Sequence, residues 1–167
     1  AKLANAIDKN CNSLEHLHLG WNGGIGAEGA EALARVLSRS CKRLKTLHLC
    51  GNEIGDNGAA AIARAIQNHE SLTEMDLNLN QIGNRGAVVI AEMLRRNAVL
   101  KMLDLQDNDM TGEGYKALGD AMRHNRVMKS LALSDGCHKF PWFQCVEFFT
   151  ACNSIHFWRV MQNEKDA

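Results

Sequence analysis

The sequence predicts an α/β fold: a solenoid of short parallel strands on one side and α-helices on the other, one of each per repeat. Two observations carry the prediction. The first is a phrase that returns: "LEHLHLGWN" begins at Leu14, "LKTLHLCGN" at Leu44, "LTEMDLNLN" at Leu72, "LKMLDLQDN" at Leu100 and "MKSLALSDG" at Met128. The starts are 30, 28, 28 and 28 residues apart, and a fixed period in this range marks a repeat architecture. The second is the run behind each phrase. Leu33, Ile62, Ile90 and Leu118 lie 18 or 19 residues after their strand's first residue, and Leu37, Ile66, Leu94 and Met122 follow four places later. That i, i+4 spacing is one buried helical stripe.

Within the frame L-x-x-L-x-L-x-x-N, places one, four, six and nine point inward, as with Leu44, Leu47, Leu49 and Asn52. A buried turn needs partners for its backbone groups, and an asparagine amide both donates and accepts. Asn22, Asn52, Asn80 and Asn108 are therefore expected to form a ladder. Ile25, Ile54, Ile82 and Met110 plug the core after the turn. Gly29, Gly58, Gly86 and Gly114 then permit unusual dihedrals or a close approach at the helix entry. Ala34, Ala63, Ala91 and Gly119 keep each helix near the sheet, and Asn97 and Asn125 suit a left-handed helix exit. The strands line the concave side at about 4.8 Å spacing, with the helices convex.

The 28-residue period, this frame, the "IG" or "MTG" behind it and the helical "A-x-A-I-A" resemble the ribonuclease-inhibitor type of leucine-rich repeat over residues 1–136. Ribonuclease inhibitor, NOD-like receptors and the Ran GTPase-activating protein carry such repeats. The resemblance implies a curved horseshoe that binds protein partners. It also raises regulation of a small GTPase as one alternative.

The whole chain, 1–167, reads as a single repeat domain. Residues 1–13 form a partial repeat, since "LANAIDKNCNSL" aligns with "LARVLSRSCKRL" and sets Leu3 over Leu33. Residues 14–136 are regular. At Gly136 the ladder asparagine is lost, yet Ile155, Trp158, Val160 and Asn163 restore the frame. Residues 137–163 are thus expected as a degenerate, aromatic-rich terminal repeat that caps the open core edge or docks into another subunit.

With 19 basic and 19 acidic residues the net charge is zero, which removes the electrostatic argument for nucleic acid or an anionic membrane. No apolar run approaches the ~20 residues of a membrane helix. Six cysteines follow no secreted-scaffold pattern. Cys11 and Cys41 occupy the same place in successive repeats, so a disulfide is conceivable, but free thiols in a reducing, intracellular and cytoplasmic setting are expected.

Places three, five, seven and eight of each strand face solvent. They display His16, His18 and Trp21, then Thr46, His48 and Cys50, then Glu74, Asp76 and Leu79, then Met102, Asp104 and Asp107. The five strands contribute five carboxylates and no lysine or arginine, which suits a partner rich in basic groups. His16, His18, Trp21, His48, Glu74, Asp76, Leu79, Met102, Asp104 and Asp107, with Trp142 and Phe157 from the terminal segment, are the candidate partner-binding residues. Zinc on His16, His18, His48 and Cys50 is disfavoured because a flat sheet spreads ligands instead of closing a tetrahedron. No nucleophile elbow or phosphate loop appears, so neither catalysis nor a cofactor is expected. The leading expectation is a non-enzymatic protein-interaction module. The alternative is a structural subunit of a large assembly, favoured by the apolar surplus of Val88, Val89 and Met93 around Ile90.

Overall fold

The computed structural model describes residues 7–8 and 11–134. The terminal repeat expected at 137–163, with Trp142 and Phe157, lies outside the described residues. Strands and helices alternate: β1 (His16–His18), α1 (Gly26–Arg39), β2 (Thr46–His48), α2 (Gly55–Ile66), β3 (Glu74–Asp76), α3 (Asn84–Arg96), β4 (Met102–Asp104), α4 (Gly112–Met122) and β5 (Ser130–Ala132). The strands form one sheet in chain order, every pair parallel and in the register of the repeat, so that His18 stands opposite His48 and Asp76 opposite Asp104. A parallel neighbour needs a long crossover, and the helix of each repeat supplies it.

The core lies between sheet and helices. Leu44, Leu47, Leu49, Ile54, Ile62 and Ile66 are fully buried, and the same columns in the next repeat are Leu72, Met75, Leu77, Ile82, Ile90 and Leu94. Each such side chain contributes roughly 1.5–3 kcal/mol of burial. Met93 belongs to this core too. The apolar surplus expected on α3 is therefore smaller than the sequence suggests, and only Val88 is exposed.

The asparagine ladder is present and directional. The Asn80 side-chain amide donates to the Leu49 and Asn78 carbonyls at 2.8 and 2.9 Å, and its Oδ1 accepts the Asn52 and Ile54 N–H groups of the preceding repeat at 3.1 and 3.4 Å. Asn108 repeats the pattern on Asn80 and Ile82. The ladder stops at Asn52, whose buried Oδ1 has no partner among the described residues. The cause is the extra glycine in "NGGI": the Ile25 N–H turns back to the Asn22 carbonyl at 3.1 Å instead of reaching across.

A second ladder runs behind the first, where helix returns to strand. Its column is Cys11, Cys41, His69, Asn97 and Asn125. Asn97 donates to the Ile66 carbonyl at 2.9 Å and accepts the Val99 and Leu100 N–H groups. Asn125 does the same with Leu94, Val127 and Met128. The left-handed exit expected of these asparagines is not observed: Asn97 is extended at φ −73°, ψ 126°, and Asn125 has no positive φ. Their buried side chains satisfy backbone groups, which needs no special dihedral. His69 takes the same role, with its Nε2 2.8 Å from the Cys41 carbonyl and its Nδ1 accepting the Leu72 N–H at 3.1 Å. Cys11 and Cys41 are joined as a disulfide with Cα atoms 4.7 Å apart, which corrects the expectation of free thiols for this pair. Stacking in one column brings their Cβ atoms within bridging range.

The N-termini of α3 and α4 are capped from the repeat before. Asp56 Oδ1 accepts the Gly83 and Gly86 N–H groups at 2.8 Å each, and Asn84 Oδ1 accepts those of Thr111 and Gly114. The glycines at this place serve close approach and not unusual dihedrals: a Cβ on Gly58 would stand 2.5 Å from Ile54 Cγ2 and 2.8 Å from Ala30 Cβ.

Candidate protein-binding face

The sheet face turned away from the helices carries the candidate residues, and the register decides which of them meet. At place five, His18 and His48 stand edge to face, ring centroids 4.5 Å apart at 82°, with their Nδ1 atoms 3.0 Å apart. The His48 Nε2 lies 2.9 Å from Glu74 Oε1. With Glu74 a carboxylate and His48 a neutral imidazole, His48 donates through Nε2 and its Nδ1 is the acceptor for the Nδ1–H of His18. One chain of hydrogen bonds thus ties β1 to β3. His16 Nδ1 meets Thr46 Oγ1 at 3.0 Å, and Thr46, expected to face solvent, is buried.

Asp76, Asp104 and Asp107 continue the face on β3, on β4 and in the turn after it. Asp76 Oδ1 accepts the Asn78 N–H and Asp104 Oδ1 the Gln106 N–H, both at 2.9 Å. The Asp107 N–H donates to Ser134 Oγ at 2.5 Å. Among the described residues no lysine or arginine pairs with these three carboxylates. Burial pushes the Asp104 acid above its ordinary value of 3.8, and the charges of Asp76 and Asp107 add to the shift. Burial also raises the Cys50 thiol, with Asp76 beside it adding to the effect, so Cys50 is held as a thiol and not as a nucleophilic thiolate. Two of the cations at the strand entries are engaged there: Lys45 and Arg43 both pair with Glu15, at 2.7 and 3.1 Å, and Lys45 foremost holds that acid below the usual range.

Place eight is left-handed in four repeats: Trp21 at φ 59°, Gly51 at 65°, Leu79 at 54° and Asp107 at 51°. Left-handed backbone costs a non-glycine residue roughly 1–2 kcal/mol. Trp21 and Leu79 bear that cost while 73% and 41% exposed. The Trp21 indole lies over Gly51, where an added Cβ would stand 2.8 Å from ring carbon Cε3. Met102, 47% exposed, lies lower on the same face. Place eight is the least legible from sequence, since a glycine there reads as a turn residue and not as the floor beneath an indole. Trp142 and Phe157 lie outside the described residues. Among the described residues no three His, Cys, Asp or Glu side chains converge to hold a metal ion, and no helix is long and apolar enough to cross a membrane.

A family model described as "Leucine Rich repeat" matches residues 10–34, 40–63, 68–91 and 96–119. No curated protein matches the sequence. Among solved structures, "Leiomodin-1 Actin-Binding Site 2 (ABS2)" is similar with a TM-score of 0.77 at 15% identity, over 99% of this chain and 95% of that one. A tropomodulin C-terminal domain from Caenorhabditis elegans is similar with a TM-score of 0.73 at 13% identity, over 99% and 98%. At these identities the likeness is one of fold. Four matched repeats, the parallel sheet and the asparagine ladder agree: the chain belongs to the leucine-rich repeat family.

Proposed function

We propose that this chain is a non-enzymatic protein-binding module of ribonuclease-inhibitor-like repeats that holds its partner against the concave strand face, inside the cell. One observation carries the proposal. Of the large apolar side chains exposed among the described residues, Trp21, Leu79 and Met102 belong to the strand face and its upper edge, and only Val88 to a helix. Exposed aromatic and apolar anchors beside polar groups are the composition of an interface. The extended inner surface of a solenoid is the place such proteins commonly use.

The test is crosslinking mass spectrometry on the protein in its native extract, beside a variant with His18, His48, Asp76 and Asp104 all replaced by alanine. Crosslinks from Lys45, Lys101 and Lys129 at the strand entries, lost in the variant, support the concave face. Crosslinks unchanged in the variant sink it. Actin is the first protein to try, by co-sedimentation, because the similar leiomodin-1 domain is an actin-binding site. The exposed Val88 favours a second reading, a subunit of a larger assembly contacted through its helices; links chiefly from Lys116 to several neighbours would favour that. GTPase regulation rests on the family resemblance alone, and an assay without acceleration removes it.

A further inference from the structure

One cross-strand contact on the sheet face has the form of half a metal centre. His18 and His48 stand opposite each other in the parallel register of β1 and β2, with their Nδ1 atoms 3.0 Å apart and their rings edge to face at 82°. The His48 Nε2 lies 2.9 Å from Glu74 Oε1. A carboxylate on the far nitrogen orients metal-binding histidines, because it fixes the proton there and leaves the other nitrogen with a free lone pair. Here that lone pair is on Nδ1, on the side of His18. Two nitrogens on one tetrahedral zinc ion, each at about 2.0–2.1 Å, are about 3.3 Å apart. The observed pair has to open by only about 0.3 Å. His18 is exposed, so a small turn of its ring opens the pair and swings its lone pair off the hydrogen-bond line toward an ion.

Among the described residues no third ligand joins the two. His16 is turned to Thr46 Oγ1, burial keeps Cys50 protonated, and no three such side chains converge. The protein thus supplies two corners of the tetrahedron, and the exposed face leaves the other two to water. The surrounding charge suits a cation. Asp76 follows His48 in register on β3, with no lysine or arginine paired to it among the described residues, and Glu74 faces His48 itself.

We propose that His18 and His48 chelate one late first-row divalent cation, of the class of zinc and nickel, through their Nδ1 atoms, with Glu74 as the residue that positions His48. Imidazole suits such ions and not magnesium or calcium, which take oxygen ligands. Binding replaces the hydrogen bond between the rings. The His18 proton passes from Nδ1 to its own Nε2, both imidazoles stay neutral, and the ion keeps its two charges. A flat sheet spreads four ligands too far to close a centre, but this site needs only one pair of neighbouring strands. It does not depend on the protein-binding role of the face.

The experiment titrates the full, untagged chain with zinc chloride by isothermal calorimetry, beside His18→Gln and His48→Gln. Residues 137–156 contain three cysteines and two histidines, so the site is read as a difference. The unchanged chain is expected to take up one more equivalent of zinc than either variant, and magnesium chloride to give no binding heat. Glu74→Ala is expected to weaken that equivalent about 10–100-fold. Without metal it should also release His48 from the Nε2–H tautomer, seen in the ring ¹⁵N shifts, which a merely structural role would not move. Nickel gives a second reading that needs no variant: as a paramagnetic ion it should broaden the amide signals of residues 16–18 and 46–48. Equal zinc uptake by the unchanged chain and either histidine variant, or nickel broadening that spares His18 and His48, overturns the proposal.

Discussion

Replacing Asn80 with alanine tests whether the ladder is held by side chains that serve the preceding repeat. Asn80 is fully buried. Truncation removes its two donated bonds, but the Leu49 carbonyl keeps the Asn52 amide at 2.9 Å. The acceptor side is different. The N–H groups of Asn52 and Ile54 have only Asn80 Oδ1, and the added methyl gives them nothing. Two orphaned buried donors at roughly 1–3 kcal/mol each set the loss at about 3–4 kcal/mol. That is a large share of the 5–15 kcal/mol typical of a domain. Asn22→Ala, at the exposed start of the ladder, is expected to cost below about 1 kcal/mol, because its amide reaches only the Leu19 and Gly20 carbonyls of its own turn.

Urea unfolding followed by circular dichroism gives the two losses. Native-state hydrogen exchange supplies the sharper signature: Asn80→Ala should deprotect the Asn52 and Ile54 amides, 26 to 28 residues away in sequence, more than those of residues 77–79. A loss under about 1 kcal/mol, or deprotection confined to the mutated repeat, would refute the account of a cross-repeat ladder.

Three further outcomes follow from the same contacts. Burial, with Lys42 adding to it, holds His69 below its ordinary value of 6.5 against the opposing Cys41 carbonyl, so the unfolded chain binds the extra proton more readily. Stability is then complete above pH 6.5 and falls as pH drops toward the folded value, and His69→Asn, which installs the residue used by later repeats, should flatten that fall in urea titrations at pH 5 to 8. The Cys11–Cys41 bond closes a separation of 30 residues, so its reduction should cost about 3–4 kcal/mol; thiol counting under denaturant without reductant should find two fewer reactive cysteines, and full reactivity would show the bond absent. Gly58→Ala drives a methyl into Ile54 and Ala30 and should cost about 1–3 kcal/mol, whereas Gly23→Ala, which meets nothing, should stay within about 0.5 kcal/mol.

How much of this was readable depends on whether a column keeps one letter. The leucine columns and the first asparagine ladder do, so strands, helices and turn were legible from the repeat alone. The second ladder reads Cys, Cys, His, Asn, Asn: one structural task performed by a covalent bond, an imidazole and two amides, with no shared letter to find. Asp56 and Asn84 look like ordinary first-turn residues because the backbone groups each caps begin 27 residues later, just before the next helix. The candidate face was legible as a set of residues but not as a network. Period alone places His18 beside His48, yet only the side-chain geometry shows His48 turned to Glu74 at a different place on the next strand. Left-handed backbone at Trp21 and Leu79 was invisible for the opposite reason, since glycine and asparagine advertise that conformation and tryptophan and leucine conceal it.

Asp104 offers the most direct way to ask whether the face is kept for binding. Its acid is raised by burial and by the neighbouring charges of Asp76 and Asp107. A raised carboxyl stabilises the fold below its ordinary value of 3.8, and that contribution is lost as pH rises through the folded value. At pH 7 the ionised group therefore costs stability. Asp104→Asn keeps an oxygen for the Gln106 N–H and removes the charge. It should stabilise the chain at pH 7 and make no difference near pH 3. A destabilised variant at pH 7 would mean the carboxylate has an attractive partner and the repulsion is not real. A variant that is more stable and also loses the crosslinks at the strand entries would separate the two roles. Stability alone would favour asparagine at this position, and the aspartate would be there for what it holds.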